Sequence, residues 1–102
     1  MTTGLPAWNH LAKICHTLCT EVSCNDGAVV VKTPPGAAQY LGSAIDTSGS
    51  FAILGTVAGD DTVLILCKSG AWGPDLARAF RQMAETGLPA EGLLAVEPDS
   101  SH

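Results

Sequence analysis

The chain has 102 residues, enough for one domain that buries roughly 60–65% of its unfolded surface. Hydrophobic residues make up 46% and charged residues 15%, a balance that predicts part of the surface being covered by other subunits. The net charge of -5, with five separated basic residues, argues against direct nucleic-acid binding by this chain.

The first residues lack a basic start followed by an apolar run, and no apolar stretch approaches the ~20 residues of a membrane span. The expected location is therefore cytoplasmic, with no membrane partner. Residues 1–17 read as a linker remnant or short helix, with Gly4 and Pro6 as breakers and Leu11–Leu18 as the helical part. Cys15, Cys19, Cys24 and Cys67 are expected to be reduced in that compartment. The crowding of His10, Cys15, His16, Cys19 and Cys24 has no C-x2-C or H-x3-5-H spacing, so these thiols read as small hydrophobes and no metal is expected.

Cys19–Cys24 alternates as a half-buried strand does. Asn25-Asp26-Gly27 is a turn signal, since these residues tolerate positive φ, and the β-branched run Ala28–Thr33 completes a hairpin. Thr33 can cap a helix with Pro34 or Pro35 in its first turn, predicting a helix over 35–46. At roughly 100° per residue, Ala37, Leu41, Ala44 and Ile45 share its core stripe, with Tyr40 at the edge. Gln39 and Asp46 align on the opposite side, with Gly42 and Ser43 between them. That face is either a plain solvated back or a surface that another chain approaches closely. Gly42 costs ~1 kcal/mol relative to Ala in a helix interior, for which an exposed back has no use.

Phe51–Val57 and Thr62–Cys67 read as a second hairpin. Gly73-Pro74 starts a helix, with Asp75 favourable near its positive end. Leu76, Ala79, Phe80 and Met83 form its stripe, and Gly87 and Pro89 stop it. Residues 88–102 form an acidic tail expected to be flexible. The predicted fold is α+β: a two-layer sandwich, β-β-α-β-β-α, with a four-stranded antiparallel sheet and both helices on one face. The other sheet face has no cover within the chain.

The tip of the second hairpin carries Gly59-Asp60-Asp61-Thr62. Adjacent carboxylates repel, and a turn needs at most one of them. The pair predicts a cation nearby: a metal, a protein side chain or a ligand. A Gly-Asp-Asp hairpin is similar to the metal site of viral RNA polymerases, yet the third carboxylate, the basic nucleotide-binding residues and the several hundred residues of those enzymes are missing. A solvated acidic turn is the bland alternative. A site for a guanidinium-bearing amino acid is the third reading, with Asp46 joining the pair.

Val29-Val-Val-Lys-Thr-Pro-Pro-Gly-Ala-Ala-Gln-Tyr-Leu-Gly-Ser-Ala-Ile-Asp46 resembles the C-terminal domain of bacterial arginine repressors, as does Ile53-Leu-Gly-Thr-Val-Ala-Gly-Asp-Asp-Thr-Val-Leu-Ile65. The resemblance runs from about Leu11 to Met83, and the two motifs occur in family order and spacing. It implies a domain, residues 18–87, that forms homotrimers pairing into homohexamers with L-arginine between the trimers. By motif, Gln39, Asp46, Thr56, Ala58, Asp60 and Asp61 would bind L-arginine. It implies an arginine-responsive transcriptional regulator, a repressor of arginine biosynthesis genes, with arginine as co-repressor ligand and no other cofactor. Operator DNA is contacted in this family through an N-terminal winged-helix domain, which is not present in this chain. The alternative is a stand-alone assembly module or dominant-negative partner of a full-length repressor. No enzyme is expected: His10, His16 and His102 lie outside the motifs, so no Ser-His-Asp or Cys-His set is assembled.

Overall fold

The computed structural model describes residues 5–48 and 52–89. The elements run α1 (Leu5–Leu18), β1 (Glu21–Cys24), β2 (Ala28–Lys32), α2 (Ala38–Ser48), β3 (Ile53–Ala58), β4 (Thr62–Cys67) and α3 (Gly73–Thr86). The four strands form one antiparallel sheet in the order β1-β2-β4-β3. The β-β-α-β-β-α order expected from the sequence is present, preceded by α1. The acidic tail falls mostly beyond the described residues.

Helix α1 begins before the predicted Leu11 and runs into the core. Trp8, Leu11, Ala12, Ile14 and Cys15 are buried, and the helix packs against both α2 and α3. The His16 Nδ1 atom donates to the Ala84 carbonyl at 2.8 Å, tying its last turn to α3. The 3.6-residue spacing of Trp8, Leu11, Cys15 and Leu18 carries this helix through Pro6, which sits in the first turn, where proline is tolerated.

Alternation sets the sheet. Val29, Val31, Val63, Ile65 and Cys67 face the helices and are buried. Each fully buried Val, Leu, Ile or Phe contributes roughly 1.5–3 kcal/mol. Their neighbours Val30, Leu64, Leu66 and Val57 line the opposite face, where Val57 is 61% and Leu66 38% exposed. The β1–β2 turn is held without positive φ. Asn25 Oδ1 instead accepts from the Gly27 and Ala28 N–H groups at 3.2 and 2.9 Å.

Two expectations for α2 need correction. The helix starts at Ala38, because Gly36 has φ +87°, a left-handed conformation that cannot join a right-handed helix. The Thr33 hydroxyl bonds to the Pro34 carbonyl at 2.9 Å and caps nothing. The stripe accordingly includes Ala38 with Leu41, Ala44 and Ile45, while Ala37 is half-buried and Tyr40 is 58% exposed. Gly42 is also buried, within this chain: a Cβ there would stand 3.2 Å from the Ala58 Cβ. The small residue lets α2 approach β3, while Gln39, Ser43 and Asp46 on the same side stay exposed. The α3 stripe of Leu76, Ala79, Phe80 and Met83 is buried as predicted, and Gly87 ends the helix at φ +70° with its N–H on the Met83 carbonyl.

Candidate functional site at the α2–β3 seam

The β3–β4 hairpin tip is fastened to the connection ahead of α2 by backbone bonds. The Asp60 carbonyl accepts from Gly36 N–H at 2.9 Å and from Ala38 N–H at 3.4 Å. The Asp61 carbonyl accepts from Thr33 N–H at 2.8 Å, and Gly59 N–H donates to the Thr62 carbonyl at 2.8 Å. Asp60 thus serves one of the orphan N–H groups at the start of α2, which lacks a side-chain cap. This fastening brings the Pro-Gly-Ala-Ala-Gln segment and the Gly-Asp-Asp tip together.

Along the seam, α2 and β3 are stitched by two side-chain bonds. Gln39 Nε2 donates to the Ala58 carbonyl at 2.9 Å. The Thr56 hydroxyl donates to Asp46 Oδ1 at 2.7 Å. Between these stitches lies a pocket of ≈ 210 Å³ lined by Gln39, Gly42, Ser43, Asp46, Thr56 and Ala58. Four of the six residues picked out by motif therefore share one concavity. Its polar complement is a carboxylate, an amide and two hydroxyls, a set that can orient a small polar cation.

Asp60 and Asp61 lie at the tip and are not among the residues lining that pocket. Asp61 is already engaged. Its Oδ1 accepts from the Thr62 hydroxyl at 2.9 Å and lies 3.8 Å from Lys32 Nζ. Lys32 is thus a cation that the chain itself places beside Asp61. Lys32 falls on the strand that pairs with the tip strand, and the alternation of that strand puts it beside Thr62. The carboxylate of Asp60 is exposed and has no side-chain partner among the described residues.

A larger groove of ≈ 390 Å³ runs between α1 and α2 past His10, Lys13, Ile14 and Tyr40. Its lining is mainly apolar, and it contains none of the six residues picked out for arginine. Among the described residues no three His, Cys, Asp or Glu side chains are grouped to hold a metal. All four cysteines are free. The Cys15 thiol is raised well above the ordinary thiol range by its hydrogen bond with Cys19 and by burial. The same hydrogen bond lowers Cys19. No helix among the described residues is long and apolar enough to cross a membrane.

Comparison with known proteins agrees with this architecture. The arginine repressor C-terminal domain family matches residues 15–82, two-thirds of the chain, and the chain belongs to that family. The match covers the end of α1, β1 to β4 and most of α3. A curated arginine repressor of Bifidobacterium adolescentis is 46% identical over 57 residues, which make up 56% of this chain and 33% of that protein. The chain thus aligns with about a third of the length of this relative.

Proposed function

We propose that this chain is the L-arginine-sensing and oligomerising part of an arginine-responsive repressor of arginine biosynthesis genes. The observation that carries the reading is the α2–β3 pocket, in which Gln39, Asp46, Thr56 and Ala58 converge beside the Asp60–Asp61 tip. Arginine has two cationic ends and one carboxylate. Asp46, Asp60 and Asp61 can meet the cationic ends, and Gln39 and backbone N–H groups can meet the carboxylate. The Thr56 hydroxyl donates to Asp46, so it aims that carboxylate towards the ligand.

The pocket of ≈ 210 Å³ is smaller than the roughly 300–1,000 Å³ of pockets that enclose drug-sized ligands. A second subunit completing it fits that size. The half-exposed apolar face of Val30, Val57, Leu64 and Leu66 is suited to packing in a homotrimer, and trimers pairing through the tips give a homohexamer. If the Asp pair of one trimer meets arginine held by the other, ligand energy becomes assembly energy. Operator contact would come from a winged-helix domain outside this sequence, in the cytoplasm. The protein has a regulatory and not a catalytic role, with arginine as its ligand and no cofactor.

Titration calorimetry with L-arginine, paired with analytical ultracentrifugation at micromolar protein, tests the reading. Heat of binding without turnover and a trimer-to-hexamer shift are expected. A monomer with no arginine heat overturns it.

A further inference from the structure

Lys32 is the last residue of β2 and lies directly across the ladder from Thr62 on the sheet face that turns away from the helices. Its ammonium donates to the Thr62 hydroxyl at 2.8 Å and stands 3.8 Å from Asp61 Oδ1. The Thr62 hydroxyl in turn donates a hydrogen bond to that same oxygen at 2.9 Å. Lys32, Thr62 and Asp61 form a closed triangle at the base of the acidic tip.

From this triangle we infer that Lys32 is a resident counter-ion of the tip, which a cationic ligand must displace from Asp61 in order to bind. The inference rests on the arginine reading of the site and adds a regulating residue to it. Lys32 and Asp61 are 42% and 49% exposed at their side chains, and their 3.8 Å separation is long for a charge-assisted bond. Such a pair is worth little, so it can be exchanged. A guanidinium meets a carboxylate edge through two parallel bonds, whereas the lysine ammonium meets it as a point charge. Arginine therefore has the geometry to take Asp61 over, while the Thr62 hydroxyl remains to hold Lys32.

The resident ammonium also changes the charge that a ligand senses. With Lys32 in place the tip presents about one uncompensated carboxylate, that of Asp60. Without it, two adjacent carboxylates face the ligand, and a cation is held more strongly. A neutral analogue gains nothing from the loss.

The test is calorimetry on the full chain at low ionic strength, with L-arginine and with the uncharged analogue citrulline. Lys32→Met should bind arginine about twofold to fivefold more tightly than the wild type, the size of an exposed ion pair. Citrulline affinity should not move. In an Asp61→Asn background the gain from Lys32→Met should shrink to the weaker long-range effect of the ammonium on Asp60, since the lysine then has no paired carboxylate to withhold. Lys32→Arg, which keeps the charge, should show no gain. Lys32→Gln is the substitute should the methionine variant aggregate through the open sheet face, and the same gain is expected from it. Unchanged or weaker arginine binding in Lys32→Met or Lys32→Gln overturns the inference while leaving the arginine site standing, as does an equal gain in the Asp61→Asn background. Arginine silence from the wild type and the variants alike overturns the arginine reading itself, and with it the competition.

Discussion

The Thr56 hydroxyl and the Asp46 carboxylate meet at 2.7 Å across the seam between β3 and α2. Half of the pocket depends on this bond, because it fixes one of two rotatable side chains against the other. Thr56→Val keeps the β-branched shape and removes the donor. It should cost ~1 kcal/mol of stability and weaken arginine by several-fold, since Asp46 is no longer aimed. Asp46→Asn separates aim from charge. The amide oxygen still accepts from Thr56, so thermal unfolding should barely change while arginine binding falls. Equal arginine affinity in both variants and the wild type would place Asp46 outside the site.

Gly42 gives a second handle on the same seam. Alanine there gains ~1 kcal/mol of helix propensity. Its methyl group would sit 3.2 Å from Ala58 Cβ and project into the pocket lining. The two effects on stability oppose each other, so the midpoint of urea unfolding should move little. Arginine affinity should drop, because β3 must yield by a few tenths of an ångström beside Ala58, whose carbonyl is the Gln39 acceptor. Unchanged affinity would show that the pocket between α2 and β3 is not where the ligand lies.

Helix α1 should behave as core. Leu11 is fully buried against α2 and α3, and Leu11→Ala should cost ~2–5 kcal/mol by urea unfolding. For a domain with ~5–15 kcal/mol in total, that is a large fraction. Leu54, at the irregular start of β3, is 67% exposed, and Leu54→Ala should stay within ~0.5 kcal/mol. Similar losses for the two would mean that α1 is not anchored as described.

The elements that the sequence makes legible are those whose period is clean. The α3 stripe of Leu76, Ala79, Phe80 and Met83 and the β-branched run of β2 point to one state each. Less legible are features decided by contacts distant in sequence. The start of α2 is set by Gly36 and by the Asp60 carbonyl, 24 residues away, which no local capping rule contains. The burial of Gly42 depends on where β3 lies. At the site, Gln39 and Asp46 are legible as one helix face, whereas their partners Ala58 and Thr56 come only from motif resemblance. Lys32 needs the register of β2 against β4, which pairs residues 30 apart.

The thiols differ in reactivity in a way that can be checked directly. Thiolate is the nucleophile, so a lowered Cys19 holds more thiolate at a given pH than an ordinary cysteine, and a raised Cys15 holds less. Burial raises Cys67 as well. Brief treatment with iodoacetamide at mildly alkaline pH, read by peptide mass spectrometry, should label Cys19 and the exposed Cys24 ahead of Cys15 and Cys67. The Cys19 labelling profile should lie at lower pH than in the denatured chain. Cys15 reacting first would mean that the hydrogen bond between the two sulfurs runs the other way.

The two tip carboxylates should not be equivalent, although they are neighbours of identical chemistry. Asp60 presents an exposed carboxylate, whereas Asp61 is held by Thr62 and lies beside Lys32. A charge-assisted hydrogen bond contributes roughly 1.5–3 kcal/mol, so Asp60→Asn should weaken arginine about tenfold or more. Asp61→Asn removes the same charge but also releases the competing lysine, so its loss should be smaller. Both changes remove like charge from tips that face one another in the proposed hexamer. The variants should therefore assemble with less dependence on arginine, most visibly at low salt, where repulsion is least screened. Sedimentation with and without arginine, at two ionic strengths, reads the assembly, and calorimetry reads the affinity. Citrulline should bind the wild type worse than arginine and should bind the two variants about as well as it binds the wild type. Equal wild-type affinity for arginine and citrulline would show that the carboxylates do not read charge, and the assignment of Asp60 and Asp61 to the site would fall.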